Sequence, residues 1–258
     1  FSGGTWQRHA HTSPQGLSLG SGRFGSDGSF RAFAYDSAFQ AGLFQMLPDG
    51  TAATQFVPGM PRGERWGPFE TPSGNLVTLH QDSVGWYQGV RTPGGNWSFH
   101  LLSGADPAVL RPFSCRGVQV DAQGVLHAIF AAEGPELRVD YLKVAADGTA
   151  QLQNVCTGVS AYAWGRVGDL AVTPDGGRVG FAIMDGSGVL RTGTKSGTGD
   201  WSLKTATVPD AAINYVVPFI KCGFLGNGRF WVLHDVVIHP ALAESERCFE
   251  LLEAPATP

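Results

Sequence analysis

Five carboxylates recur at one point of a repeating pattern. Asp36, Asp82, Glu133 and Asp185 fall eight or nine residues after a turn glycine, and Asp235 falls seven after one. Two carboxylates about 5–9 Å apart can serve as the acid and base of glycoside hydrolysis. The same groups could hold a cation or a basic partner. Aspartate also favours hairpin turns, where it accepts hydrogen bonds from its own backbone. Spacing alone leaves these readings open.

A basic set accompanies the acidic one. Arg23, Arg65, Arg116, Arg166 and Lys221 recur once per period, each expected just before an innermost strand. Guanidinium forks bind carboxylates in bidentate fashion. Glycines within two residues of Arg23, Arg116 and Arg166 would leave room for a ligand. Pairing with the acidic set is the other outcome. Trp66, Tyr162, Trp164 and Tyr215 precede the same strands and could form a sugar-stacking platform or pack between repeats. His80 and His234 follow their turn glycines by six residues but His127 by three, which argues against a symmetric metal site. The last repeat carries an extra stretch with His234, Asp235, His239, Glu244 and Glu246, a pattern typical of a functional or a solvated loop.

The elements that must position these side chains follow from two series of turns. One reads Ser26-Asp27-Gly28, Pro72-Ser73-Gly74, Ala122-Gln123-Gly124, Pro174-Asp175-Gly176 and Gly226-Asn227-Gly228, with glycines 46, 50, 52 and 52 residues apart. Strand-like runs follow, such as Phe30–Ala34 and Val125–Phe130. The second series holds Gly4, Gly50, Gly95, Gly148 and Gly199, spaced by 46, 45, 53 and 51. Two hairpin turns per period imply four strands per period, and four-stranded units of this length are propeller blades. The expectation is an all-β, five-bladed β-propeller with four antiparallel strands per blade, as one domain over residues 1–258. The fifth outer turn lies at the N-terminus, in Gly3-Gly4-Thr5-Trp6. Residues near 4–11 are therefore expected to supply the outermost strand of the last blade and seal the ring.

Composition narrows the classes. The chain is 43% hydrophobic and 16% charged, with 36 glycines and a net charge of −4. That is a globular composition without the clustered basic excess of a nucleic-acid binder. No apolar run reaches the roughly 18–20 residues that span a bilayer. The opening residues show neither the basic nor the apolar region of a signal peptide, so an exported chain is expected to have lost it. Cys115, Cys156, Cys222 and Cys248 fit no short metal-binding spacing. Local disulfides Cys115–Cys156 and Cys222–Cys248 are the favoured pairing, with buried free thiols as the alternative. No phosphate loop, nucleophile elbow or zinc-protease helix is present, and no cofactor is called for. A Ca2+ ion at the acidic rim has no other support in the sequence.

The turns Gly3-Gly4-Thr5-Trp6, Gly95-Asn96-Trp97 and Gly199-Asp200-Trp201 resemble the second half of the Asp-box of sialidase-type propellers. The aspartate expected before the glycine is missing; Phe1, Thr92 and Ser196 stand near its place. Five consecutive blades are also similar to five-bladed glycosidases and a five-bladed lectin family. The resemblance implies a secreted or cell-surface module that binds an acidic glycan at the mouth of the central channel, through the arginines and aromatics. An alternative is a sialidase-like hydrolase or lyase using Asp36, Asp82, Glu133 or Asp185. A scaffold that binds another protein is a third reading.

Overall fold

The computed structural model describes residues 18–38, 40–61, 63–103, 105, 115–132, 138–157, 168–184, 189–207, 220–237 and 247–254. Among them the regular structure is all strand. The first sheet holds β1 (Ser18–Phe24), β2 (Phe30–Tyr35), β3 (Ala41–Met46) and β4 (Ala52–Phe56). The second holds β5 (Glu64–Glu70), β6 (Leu76–Gln81), β7 (Trp86–Arg91) and β8 (Trp97–Leu101). The third holds β9 (Cys115–Val120), β10 (Leu126–Ala132), β11 (Arg138–Val144) and β12 (Ala150–Thr157). The fourth holds β13 (Gly168–Val172), β14 (Arg178–Met184), β15 (Val189–Ser196) and β16 (Ser202–Thr207). The last described sheet has three strands, β17 (Ile220–Phe224), β18 (Phe230–Val237) and β19 (Arg247–Ala254). Every sheet is an antiparallel meander in chain order. Among the described residues no helix is long and apolar enough to cross a membrane.

The turn glycines explain this regularity. Gly28, Gly74, Gly124, Gly176 and Gly228 all have φ between +67° and +80°. Each closes the hairpin between the first two strands of its sheet. In the first, Gly28 N–H donates to the Gly25 carbonyl and Gly25 N–H to the Ser29 carbonyl. The same pair of bonds recurs at Thr71–Gly74, Asp121–Gly124 and Leu225–Gly228, and at Thr173–Gly176 with one residue added. This is a tight turn followed by a left-handed residue, a conformation glycine adopts without a Cβ penalty. Asp27, Asp121 and Asp175 lock their turns by accepting backbone N–H bonds.

Adjacent sheets stack through apolar clusters. Phe33 and Met60 meet Trp97 and Phe99 between the first and second sheets. Leu79 and Trp86 meet Phe130 and Leu142 between the second and third. Ile129 and Tyr141 meet Phe181 and Trp201 between the third and fourth, and Ala182 and Leu190 meet Ile220 and Val232 between the fourth and the last. The first strands touch in sequence: β1 against β5, β5 against β9, β9 against β13, and β13 against β17. They form the inner edge of a propeller-type assembly. Trp97 and Trp201, which carry the Asp-box resemblance, serve as packing between sheets, and Trp201 donates to Gln153 Oε1 at 3.3 Å.

Two of the histidines are buried polar groups rather than ligands. His127 bridges the Tyr141 hydroxyl at 2.6 Å and the Asp121 carboxylate at 3.2 Å, all inside the third sheet's packing layer. His80 is fully buried, 2.6 Å from Thr78 Oγ1. Burial first, and then the Arg65 charge, push its pKa down to about 3. Among the described residues no group of three or more His, Cys, Asp or Glu side chains is arranged to hold a metal ion.

The favoured disulfides do not form. Cys115, Cys156 and Cys222 are free thiols. Cys115 lies on β9 and Cys156 on β12, at opposite edges of one sheet. Three strand spacings put them about 14 Å apart, twice the span of a disulfide. Cys222 on β17 and Cys248 on β19 are separated by β18, at least about 9–10 Å by the same spacing, and Cys222 lies in register with Leu252 rather than Cys248. Non-reducing peptide mapping of the denatured chain is therefore expected to recover Cys115, Cys156, Cys222 and Cys248 without either local cross-link.

A pH dependence follows from His80. A histidine whose folded pKa lies below its unfolded value of 6.5 destabilises the fold as pH falls through the window between the two. The loss is up to about 1.4 kcal/mol per pH unit below 6.5. Urea midpoints measured from pH 7 to 5 should fall, and His80→Asn should flatten that slope. An unchanged slope in the variant would count against a buried neutral His80.

Candidate functional site

Of the carboxylates singled out by spacing, the two whose side chains are described, Asp36 and Asp82, are engaged by their own turns. Asp36 follows β2 and accepts N–H bonds from Ala38 and Gln40 through Oδ1, at 2.9 and 2.7 Å. Asp82 does the same for Val84 and Gly85, at 2.8 and 3.1 Å. Both serve their own hairpin turns, the role local hydrogen bonding favours for aspartate. Glu133 and Asp185 lie outside the described residues, as do Arg166, Tyr162, Trp164, Tyr215, His239, Glu244 and Glu246. Asp235 lies in β18 opposite Phe249. His234 is buried in the same strand, opposite Ile220.

The basic set divides. Arg65 sits on β5 between the first two sheets, its guanidinium 4.9 Å from the Tyr35 ring and donating to the Pro61 carbonyl at 2.6 Å. Arg116 on β9 reaches the Ala131 carbonyl at 3.5 Å. Trp66 stacks on Trp86, with ring centroids 5.4 Å apart, and joins the core between the second and third sheets. These three are built into sheet packing.

Arg23 and Lys221 are different. Arg23 is the sixth residue of β1, beside the turn rather than before the strand, and pairs in register with Arg31. Its guanidinium lies 4.5 Å from the centre of the Phe69 ring on β5, a cation–π contact. Its side chain is exposed, yet the protein crowding the guanidinium lowers its pKa, while the Asp169 charge acts the other way. Lys221 on β17 lies 3.6 Å from Asp169 Oδ1. Asp169 Oδ2 accepts the Cys222 N–H at 3.1 Å. Burial raises the Asp169 pKa, and the Lys221 charge and the Cys222 N–H oppose that rise.

Arg23, Asp169 and Lys221 thus come from the first, fourth and last described sheets. The Asp169 charge, on the fourth sheet, acts on the Arg23 guanidinium of the first. The group carries two cations against one carboxylate. It offers a guanidinium partly crowded by protein, an aromatic face beneath it, and an ammonium–carboxylate pair. Such a site can bind an anion or a hydroxyl-rich ligand, and its carboxylate can accept hydrogen bonds.

Spacing missed Asp169 because the acidic set was aligned on second-strand ends. The available signal was a lone charged residue within the apolar strand Gly168–Val172. The glycines beside the basic residues also have another use. A Cβ on Gly117 would lie 2.6 Å from the Leu170 backbone nitrogen, and one on Gly168 would lie 2.9 Å from Arg116 Cβ. A Cβ on Gly22 would strike the Phe30 ring. The space is taken by neighbouring protein, not left for a ligand.

No family model matches the chain, and no curated protein matches it. Solved structures do. A triple arginine-to-alanine mutant of AofleA from Arthrobotrys oligospora superposes with a TM-score of 0.56 and 10% identity, covering 85% of this chain and 64% of that one. The BP39L lectin from Burkholderia pseudomallei gives 0.53 at 11% identity, covering 84% and 66%. Aleuria aurantia lectin, in complex with α-methyl-L-fucoside, gives 0.54 at 10% identity, covering 90% and 78%. The chain spans just under two thirds of the length of the first two. At these identities the likeness is one of fold, and it agrees with the stacked meanders: the chain has a propeller-type all-β fold.

Proposed function

We propose that this chain is a secreted or cell-surface carbohydrate-recognising propeller. Its ligand, an acidic glycan, rests at the inner edge against Arg23 and Lys221. The observation that carries this reading is the Arg23–Asp169–Lys221 group. Lys221 pairs with Asp169, Arg23 lies over Phe69 on a neighbouring first strand and feels the Asp169 charge, and the three together carry a net positive charge. A glycan carboxylate would be drawn by the two cations, and Asp169 would accept ligand hydroxyls. The Phe69 ring keeps the Arg23 guanidinium in place. The commitment of Asp36 and Asp82 to their turns favours binding over a hydrolase that uses them.

The same proposal takes residues 1–258 as one five-bladed domain. The last described sheet has three strands, and β19 is its edge. A strand from residues near 4–11 would complete it. The first sheet also buries Ala32, Ala34 and Phe44 in a cluster drawn from that sheet alone, on the face away from its packing with the second sheet. A closing blade would cover that face. Deletion of the first 15 residues is expected to lower the melting temperature of the whole domain in one cooperative transition. A truncated chain that melts like the full one would remove the N-terminal strand from the ring.

Glycan-array binding tests the function. The full chain should bind uronic- or sialic-acid-bearing glycans, more weakly at high salt, since exposed charges are screened. Arg23→Ala or Lys221→Ala should each weaken binding about tenfold, the loss of one charge-assisted contact. No reducing sugar should be released. Turnover abolished by Asp169→Asn would replace the binding reading with a hydrolytic one. Absence of binding to any glycan would favour a protein-binding scaffold.

A further inference from the structure

A recess of about 780 Å3 opens between the fourth and last described sheets. It is bounded by the ends of β13 and β17 and by the turns that follow them, with Gln119 of β9 at its side. Neither Arg23, Asp169 nor Lys221 lines it. Its volume lies within the range of small-molecule sites.

The lining has a definite chemistry. Ala171, Val172 and Phe224 supply an apolar wall, and Leu225, exposed at the turn, extends it. One carboxylate, Asp175, and one guanidinium, Arg178, face the same space. Both side-chain hydrogen bonds of Asp175, from the Thr173 hydroxyl at 2.6 Å and the Gly177 N–H at 2.9 Å, fall on Oδ1. Those bonds lower its pKa, so the carboxylate stays ionised. Arg178 donates through Nη1 to the Gly228 carbonyl at 2.8 Å, which holds its fork across the gap between the two sheets. Asn227 uses its oxygen on the Arg229 N–H, at 3.0 Å, and Gln119 adds a second amide.

Charges of opposite sign cancel in this lining. An anion meets Asp175 and a cation meets Arg178, so neither gains from the site as a whole. A neutral ligand with adjacent hydroxyls uses both, because each hydroxyl donates to the carboxylate or accepts from the guanidinium and amides. Its C–H face can lie on Phe224 and Ala171. We infer that this recess is a second binding site, for a neutral pyranose unit, separate from the charged group at the inner edge. The inference stands on the recess lining and does not depend on the acidic-glycan reading.

Gly226 offers a clean test. It lines the recess, and a Cβ built on it meets nothing within 4 Å. Gly226→Trp should fill the space without straining the fold. Saturation-transfer NMR with the full chain would use neutral methyl glucoside, galactoside, mannoside and xyloside as probes. At least one should receive saturation from the wild type, and the signal should vanish in Gly226→Trp while the melting temperature holds. If that variant unfolds, Gln119→Ala and Asn227→Ala serve instead, each expected to weaken binding about fivefold for one lost hydrogen bond. No saturation of any of the four neutral glycosides by the wild type would overturn the proposal. So would a signal that survives Gly226→Trp, or one left unchanged by both alanine variants.

Discussion

The structure depends on how near β9 can come to β13. The Gly117 Cα faces the Leu170 backbone so closely that a methyl group would sit 2.6 Å from the Leu170 nitrogen. Gly168, on the opposing strand, stands against Arg116 Cβ in the same way. This contact lets two first strands converge at the axis while the bodies of their sheets diverge. Further out, aromatic side chains fill the space between sheets: Tyr141 of the third meets Trp201 of the fourth at 5.3 Å, and Trp86 of the second meets Phe130 of the third at 4.8 Å. A four-stranded meander has two faces and cannot bury them alone. Stacking gives each sheet a neighbour and buries the facing surfaces in a cluster at each junction.

Polar groups tie the same junctions. Arg31 of the first sheet pairs with Glu70 of the second at 3.0 Å, and Arg178 of the fourth bonds Gly228 of the last. Lys195 and Trp201 of the fourth sheet share Gln153 of the third. These bonds fix the rotation of one sheet against the next more than they add net stability, since each replaces a bond to water. The fixed rotation is what sets Lys221 of the last described sheet against Asp169 of the fourth. A site assembled from three sheets is only as well formed as the stack beneath it.

The turns were legible in the sequence because a left-handed residue leaves a mark: glycine is required at Gly28, Gly74, Gly124, Gly176 and Gly228, and they recur at nearly even spacing. The strands between them followed from alternation. The candidate site was legible in part. Arg23 and Lys221 stand out through the period of the basic residues. Asp169 was missed, because a carboxylate inside a strand has no periodic counterpart. Asp36 and Asp82 were visible as residues, but spacing does not say whether a carboxylate faces a ligand or its own turn. The glycines Gly117 and Gly168 looked like room for a ligand, since a strand glycine carries no sign of what approaches it. The cysteine pairing failed for a related reason. Neighbours in the repeat lie at opposite edges of a sheet, a distance that sequence order hides.

Equilibrium urea unfolding of Gly117→Ala tests the central constraint most directly. In an ordinary strand, alanine in place of glycine stabilises by up to about 1 kcal/mol, because it restricts the unfolded chain. Here the added methyl meets backbone across the β9–β13 contact, and overpacking of that kind costs about 1–3 kcal/mol. Gly226→Ala, where the methyl meets open space, is the reference. The expected result is a clear loss of stability in Gly117→Ala and none in Gly226→Ala. Equal or greater stability in Gly117→Ala would contradict the close approach on which the fold and its site rest.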